Sequence, residues 1–188
     1  MRIWRKLAEF AHFETPRLVL RPFHFSDEKS FFQIVSDPEN LDFIFPALSD
    51  KEVSDDLLVE TFMRQPLGIW AIEDKRRKQL LGAIRFEKLD VEGRQAEIGY
   101  FLRKEYRKQG FMTEALRNIV FLAFYELGLR EILLKTHAEN KASQAVAQKV
   151  GFTAKRQYRG SDRYSRKTRH YIDFVLTASE FRLAEEEE

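Results

Sequence analysis

Cysteine is absent from the 188 residues. That absence excludes disulfides, thiolate zinc sites and a cysteine nucleophile together. Glycine is sparse, with eight residues at 68, 82, 93, 99, 110, 128, 151 and 160. No two of them are separated by a single residue, so a G-x-G-x-x-G dinucleotide turn is excluded, and no G-x-x-x-x-G-K-[ST] phosphate loop occurs. The four histidines (12, 24, 137, 170) are scattered and form no H-E-x-x-H, which argues against a zinc hydrolase. No apolar run approaches the ~18 residues of a membrane span; the longest, Ile119 to Tyr125, has seven. Residues 1–12 lack the roughly 7–15-residue apolar core of a secretory signal. Charge of one sign is not in excess either: Lys+Arg 32 against Asp+Glu 30 leaves a net +2.

What is present is 44% hydrophobic and 33% charged residues, with 17 Phe. This is the composition of a globular chain with an aromatic core, expected to be soluble and cytoplasmic, without metal or membrane. The length predicts a single domain over 1–188, with an N-terminal extension over 1–13 and an acidic tail over 181–188. The basic residues cluster once: Lys155, Arg156, Arg159, Arg163, Arg166, Lys167 and Arg169 against one acid, Asp162. With Tyr158 and Tyr164 interleaved, this segment reads either as a weak polyanion or ribosome contact or as a solvated loop.

The pattern predicts a strand over 17–22 and a helix over about 27–36 capped by Ser26-Asp27. A second helix over about 51–64 follows Ser49 and Asp50, with Val53, Leu57, Leu58 and Phe62 at helical spacing. Strands over 68–73 and 80–88 flank the charged turn 74–78 as a hairpin, and 95–103 is a third strand. The second half predicts a long helix over 111–127 closed by Gly128, then a strand over 131–138. A short helix over 140–150 closed by Gly151 comes next, and 152–159 pairs with a last strand over 169–177. A strand, a helical crossover and a strand within 95–138 require a parallel pair inside an otherwise antiparallel sheet. The predicted fold is α/β (α+β), a mixed, mostly antiparallel sheet with one parallel, splayed pair and helices on both faces.

Gly110 sits where strand gives way to the long helix, in Arg107-Lys-Gln-Gly-Phe-Met-Thr113. A glycine at a helix N-terminus, with Arg107 and Lys108 adding charge, reads as a diphosphate cradle or as an ordinary strand-to-helix turn. Gly99, inside a strand, marks a bulge or a close backbone approach. Asn140 is placed to cap the following helix, with Ser143 at its third position.

These residues resemble the GNAT acyl-CoA N-acyltransferases, and most of all their RimJ/RimL-type branch. Arg107-Lys-Gln-Gly110-Phe-Met112 is similar to the family's [QR]-x-x-G-x-[GA] at two of three fixed positions, Met112 standing where a small residue is usual. Glu14-Thr-Pro-Arg-Leu-Val-Leu-Arg-Pro22 resembles the branch's opening T-x-R-L-x-L-R. Trp70-Ala-Ile72, Leu81-Gly-Ala-Ile84, Ala96-Glu-Ile-Gly-Tyr100, Thr113-Glu-Ala115 and Asn140-x-x-Ser143 with Lys149-Val-Gly-Phe152 continue it in order, over roughly residues 14–180.

The resemblance implies acetyl-CoA as donor and direct attack by a neutral amine, without an acyl-enzyme. Tyr100, Phe101 and Leu102 would pair through their backbone with the pantetheine amides. Arg107, Lys108, Gln109, Gly110, Phe111, Met112 and Thr113 would form the diphosphate turn, and Asn140 and Ser143 would reach the pantetheine arm and the sulfur. Such chemistry needs a base and an acid. The positions some relatives use are Lys135 and Ala147 here, so neither role transfers. Glu97 becomes the candidate base and Ser143 the candidate acid, with His137 on the next strand. The expected partner is an amine: a peptide N-terminus, as for ribosomal-protein enzymes, or a small molecule such as a polyamine, antibiotic or amino acid. Phe43-Ile-Phe45 would wall its pocket. A catalytically silent CoA sensor or an RNA-binding module are the other readings, as monomer or homodimer.

Overall fold

The computed structural model describes residues 3–186. Their packing falls into two units, one formed by residues up to Arg85 with Tyr100–Ala115, the other by Phe86–Gly99 with the chain from Leu116 on. Strands β4 (Gln79–Asp90) and β5 (Gln95–Leu102) and helix α4 (Phe111–Phe121) run through both.

The first unit holds α1 (Ile3–Glu9), β1 (Phe13–Glu14), β2 (Leu18–Arg21), α2 (Glu28–Val35), α3 (Lys51–Leu57) and β3 (Ile69–Asp74). Its strand order is β1-β2-β3-β4-β5, antiparallel from β1 through β4, with Leu20 opposite Ile72 and Trp70 opposite Ile84. Phenylalanine fills the core. Phe31 lies 5.3 Å from Phe62 and Phe62 lies 6.1 Å from Phe101, both edge-on, the geometry that ring quadrupoles favour. Asp50 caps α3 as expected, accepting from the N–H of Glu52 at 2.8 Å, and the helix widens into a π-turn over Leu58–Met63.

Asp27 departs from expectation. It stands at the N-cap of α2, but its carboxylate turns back to the His24 N–H (2.9 Å) and to the Arg21 guanidinium (2.9 and 2.8 Å). Burial of the charged arginine, which also reaches Glu73 at 2.8 Å, requires that partner more than the helix requires a cap. Within the expected extension over 1–13, residues 3–10 take part in the packing of this unit. Ile3 and Leu7 of α1 are buried, and the Trp70 indole N–H donates to the Phe10 carbonyl at 3.0 Å.

The second unit adds β6 (Glu131–His137), α5 (Lys141–Val150), β7 (Thr153–Ser161), β8 (Thr168–Thr177) and α6 (Ala178–Glu186), in strand order β4-β5-β6-β8-β7. The β5–β6 pair is parallel and the β6–β8 and β7–β8 pairs are antiparallel. The architecture is thus the mixed, mostly antiparallel sheet with flanking helices that the element order predicts. Helix α4 passes into a π-segment over Leu122–Glu126 and stops at Gly128, whose φ of 66° is open to glycine. Gly151 closes α5 likewise, at φ 104°. Phe181, where the expected acidic tail begins, is buried within α6, 5.6 Å from Phe124. Glu187 and Glu188 lie outside the described residues.

Candidate active site

In the first unit, β5 ends at Leu102, one 3-10 turn covers Lys104–Tyr106, and α4 starts at Phe111. The intervening turn is tight, with Lys108 at φ 59° and Gly110 at φ 81°. Lys108, Gln109 and Gly110 are exposed, whereas the side chains of Phe111 and Met112 are buried. Met112 therefore leaves the outer surface of the turn open, because its bulk is spent on the core. The first N–H groups of a helix have no intrahelical acceptor and carry positive character. With Lys108 beside them, they suit a diphosphate, and no side chain at 110 stands in the way.

Arg107 is not spent as its charge predicts. Its Nε donates to the Leu102 carbonyl at 3.1 Å and its Nη2 to the Asn40 carbonyl at 2.8 Å. Asn40, buried, also accepts the Lys104 N–H at 2.7 Å through Oδ1. Arg107 and Asn40 together brace the turn from beneath.

A second brace comes from the chain just before β2. Glu114 accepts the Thr15 hydroxyl at 2.6 Å, the Arg17 N–H at 2.9 Å and the Arg17 Nε at 2.6 Å. Burial alone would raise the Glu114 carboxyl; the Thr15 and Arg17 donors outweigh it and hold the group below the usual carboxylate range. Arg17 also covers the Phe111 ring, 4.4 Å from its centroid. Arg17, Thr15, Glu114 and Asn40 are not among the residues that the sequence singles out as site residues. Two of the segments that carry the family resemblance contain three of them, but Thr15 and Glu114 lie 99 positions apart.

In the second unit the parallel register of β5 with β6 ends at Glu97 and Leu133, although the strands continue to Leu102 and His137. Glu97 stands at that end, its side chain 16% exposed, between Lys88 Nζ at 3.4 Å and Lys135 Nζ at 3.8 Å. At Gly99 a Cβ would come 2.5 Å from Oε1 of Glu87, a side chain and not the close backbone approach expected there. The registers put Glu97, Lys135, Asp173 and Tyr158 on one face. Burial, then the charge of Asp173 and its hydrogen bond with the phenol, push the Tyr158 phenol up to about 12, so it stays protonated at neutral pH. Oδ1 of Asp173 is buried without a hydrogen-bond partner, an unspent acceptor on the face that carries the candidate base.

Asn140 caps α5, its Oδ1 accepting the Ser143 N–H at 3.0 Å. His137 packs on Tyr171 with centroids 4.7 Å apart, and burial lowers its pKa, as for a histidine held in the structure. The basic segment is largely the β7–β8 hairpin, not a loop. Lys155 faces Glu180 at 3.8 Å, Arg169 faces Glu139 at 3.6 Å, and Arg156 covers the Tyr158 ring at 4.8 Å. Phe43-Ile-Phe45 divides: Ile44 and Phe45 pack on the first unit's core, and Phe43, at φ 106°, is exposed. Among the described residues, no helix is long and apolar enough to cross a membrane.

Comparison with known proteins identifies the family and the fold. Residues 17–153 match the acetyltransferase (GNAT) domain model. The uncharacterized N-acetyltransferase YoaA of Bacillus subtilis is 32% identical over 155 residues, 76% of this chain and 83% of that protein. The ribosomal-protein-serine acetyltransferase of Escherichia coli is 30% identical over 77 residues, 41% of this chain and 43% of that protein. In fold, the chain is similar to the spermidine N-acetyltransferase from Vibrio cholerae in complex with CoA and spermine, with a TM-score of 0.75 at 16% identity, covering 89% of this chain and 99% of that one. The chain belongs to the GNAT acetyltransferase family, and its activity is that of an acetyltransferase.

Proposed function

We propose that this chain acts in the cytoplasm as a single catalytic domain of the RimJ/RimL type. It moves the acetyl group of acetyl-CoA directly to a primary amine, the N-terminal amine of a protein. The observation that carries the donor is the turn at 107–113, with its exposed Lys108 and a glycine at φ 81° ahead of α4. The relative that acetylates ribosomal-protein serine supports the acceptor.

In this reading Lys108–Thr113 hold the diphosphate, chiefly through backbone N–H groups, and the backbone of Tyr100–Leu102 pairs with the pantetheine amides. Asn140 offers its side-chain NH2, which has no acceptor among the described residues, to a pantetheine carbonyl. Glu97 takes a proton from the incoming ammonium, directly or through a water. The freed nitrogen lone pair forms the C–N bond, the C–S bond breaks with its electron pair on sulfur, and the Ser143 hydroxyl supplies the proton that makes the leaving thiol. Glu97 releases its first proton to solvent and then takes the amine's second, and the Ser143 oxygen regains a proton from solvent, so both side chains return to their starting states. No cysteine is needed, in keeping with a sequence that has none. Exposed basic residues of the β7–β8 hairpin would add a weak, salt-sensitive contact with ribosomal RNA around such an acceptor.

The test is thiol release from acetyl-CoA with peptides bearing free or blocked N-termini, polyamines and free amino acids, followed by mass spectrometry of the product. The proposal predicts release with free N-termini only, and one acetyl group on the α-nitrogen. Release with polyamines alone would replace the acceptor; no release with any amine would remove the donor assignment as well.

A further inference from the structure

Arg17 makes one bond that its pairing with Glu114 does not explain: Nη1 donates to the Gln109 carbonyl at 2.9 Å. That carbonyl belongs to the peptide that joins Gln109 to Gly110. In a trans peptide the C=O and N–H point in opposite directions. Fixing the Gln109 carbonyl on the guanidinium therefore fixes the Gly110 N–H away from it. The neighbouring residue makes such a pin necessary. Gly110 has no Cβ and sits at φ 81°, so its peptide can rotate at little steric cost. Rotation would turn a carbonyl toward the start of α4 and withdraw an N–H from it.

We propose that Arg17 is a positioning residue for the coenzyme: it locks the Gln109–Gly110 peptide in the orientation that presents N–H, not C=O, to the diphosphate. The inference rests on the reading of 107–113 as the diphosphate turn. Arg17 is itself held from three sides. Nε is bonded to Glu114 Oε2 at 2.6 Å, its own N–H to Glu114 Oε1 at 2.9 Å, and its plane lies over Phe111. Its carbonyl accepts the Lys75 N–H at 2.9 Å, and Thr15 completes the carboxylate shell at 2.6 Å. Glu114 is on α4, one turn beyond Gly110, so guanidinium, turn and helix close into a ring. Because Glu114 neutralises Arg17, the positioning works through geometry more than through added charge. A planar fork can serve Glu114 and Gln109 at once, and a single ammonium at the end of a lysine cannot reproduce that.

The experiment compares wild type, Arg17→Gln and Arg17→Lys by calorimetry with CoA and by steady-state kinetics with acetyl-CoA and the best amine. Arg17→Gln is expected to raise the CoA Kd and the acetyl-CoA KM about tenfold, the weight of one hydrogen bond, while kcat stays within about twofold. Arg17→Lys, which keeps the charge and most of the stem, is expected to lose nearly as much. Three results would overturn the inference: an unchanged Kd in Arg17→Gln, full rescue by lysine, or a fall in kcat with KM unmoved. Should Arg17→Gln not fold, Arg17→Lys carries the same test, since wild-type affinity in it refutes the geometric role. Wild type that fails to bind CoA would overturn the reading of the turn, and the inference with it. Wild type that binds, with unaltered affinity in both variants, overturns the inference alone.

Discussion

Replacing Gly110 by alanine perturbs two separable things. The first is the backbone: at φ 81° a residue with a Cβ is in left-handed space, at a cost of roughly 1–2 kcal/mol. The second is space. The new Cβ would lie 3.2 Å from Nη2 of Arg17, the tip of a flexible side chain. It gives way by a few tenths of an ångström and loosens the Gln109 bond, part of the ~0.5–1.5 kcal/mol of a hydrogen bond. Together Gly110→Ala should lose about 1.5–3 kcal/mol, or about 3–12 °C in Tm for a chain of this length. Asparagine separates the two, because its side chain tolerates the left-handed region while carrying the same Cβ. Urea unfolding should therefore show a clearly smaller loss for Gly110→Asn than for Gly110→Ala, with equal slopes. Calorimetry should show similar weakening of CoA binding in both. Alanine within about 0.5 kcal/mol of wild type, or asparagine costing as much as alanine, would refute the assigned conformation.

Glu97→Gln should lower kcat about 10²-fold or more with CoA affinity kept, and the deficit should shrink toward high pH, where more of the amine is already neutral; a constant ratio from about pH 6 to about pH 9 would move the base elsewhere. Asn140→Asp keeps the acceptor that caps α5 but removes the NH2, so stability should hold while the acetyl-CoA KM rises several-fold. Asn140→Ala should in addition lose about 1 kcal/mol of stability, and equal KM values for Asp and wild type would end the pantetheine assignment. Burial alone would raise the Asp27 carboxyl, but Arg21 and the His24 N–H hold it lower than normal. A depressed folded pKa gives stability that is complete above the unfolded value of about 3.9 and lost as pH falls through the folded one. The stability gap between wild type and Asp27→Asn should therefore be flat above about pH 5 and narrow below about pH 4 in acid titrations; a gap that widens with acid would contradict the sign.

The elements that follow from local rules are legible in the sequence. Asn140 and Gly151 delimit α5, Gly128 ends the α4 segment, and the charged turn after β3 marks a hairpin, because each depends on a residue and its near neighbours. The short helices at the two ends are less legible. Ile3 and Leu7 in α1, or Phe181 in α6, gain their meaning only from the core that receives them. Within the site, Gly110 and Asn140 are visible for the same local reasons as the elements. What charge alone does not tell is where donors point. Arg107 reads as a phosphate ligand but spends Nε and Nη2 on two carbonyls, whereas Arg17, which reads as part of an opening strand, reaches the turn. Its partner Glu114 is 97 positions away, beyond any local spacing rule.

The most direct test of the central claim is the amide spectrum of the 15N-labelled protein titrated with CoA. A diphosphate held at the start of α4 requires the N–H resonances of Gly110, Phe111, Met112 and Thr113 to move together, saturably, and downfield as they gain a charged acceptor. The account predicts that these four respond among the most strongly in the chain. Saturable binding that leaves all four unmoved would contradict it.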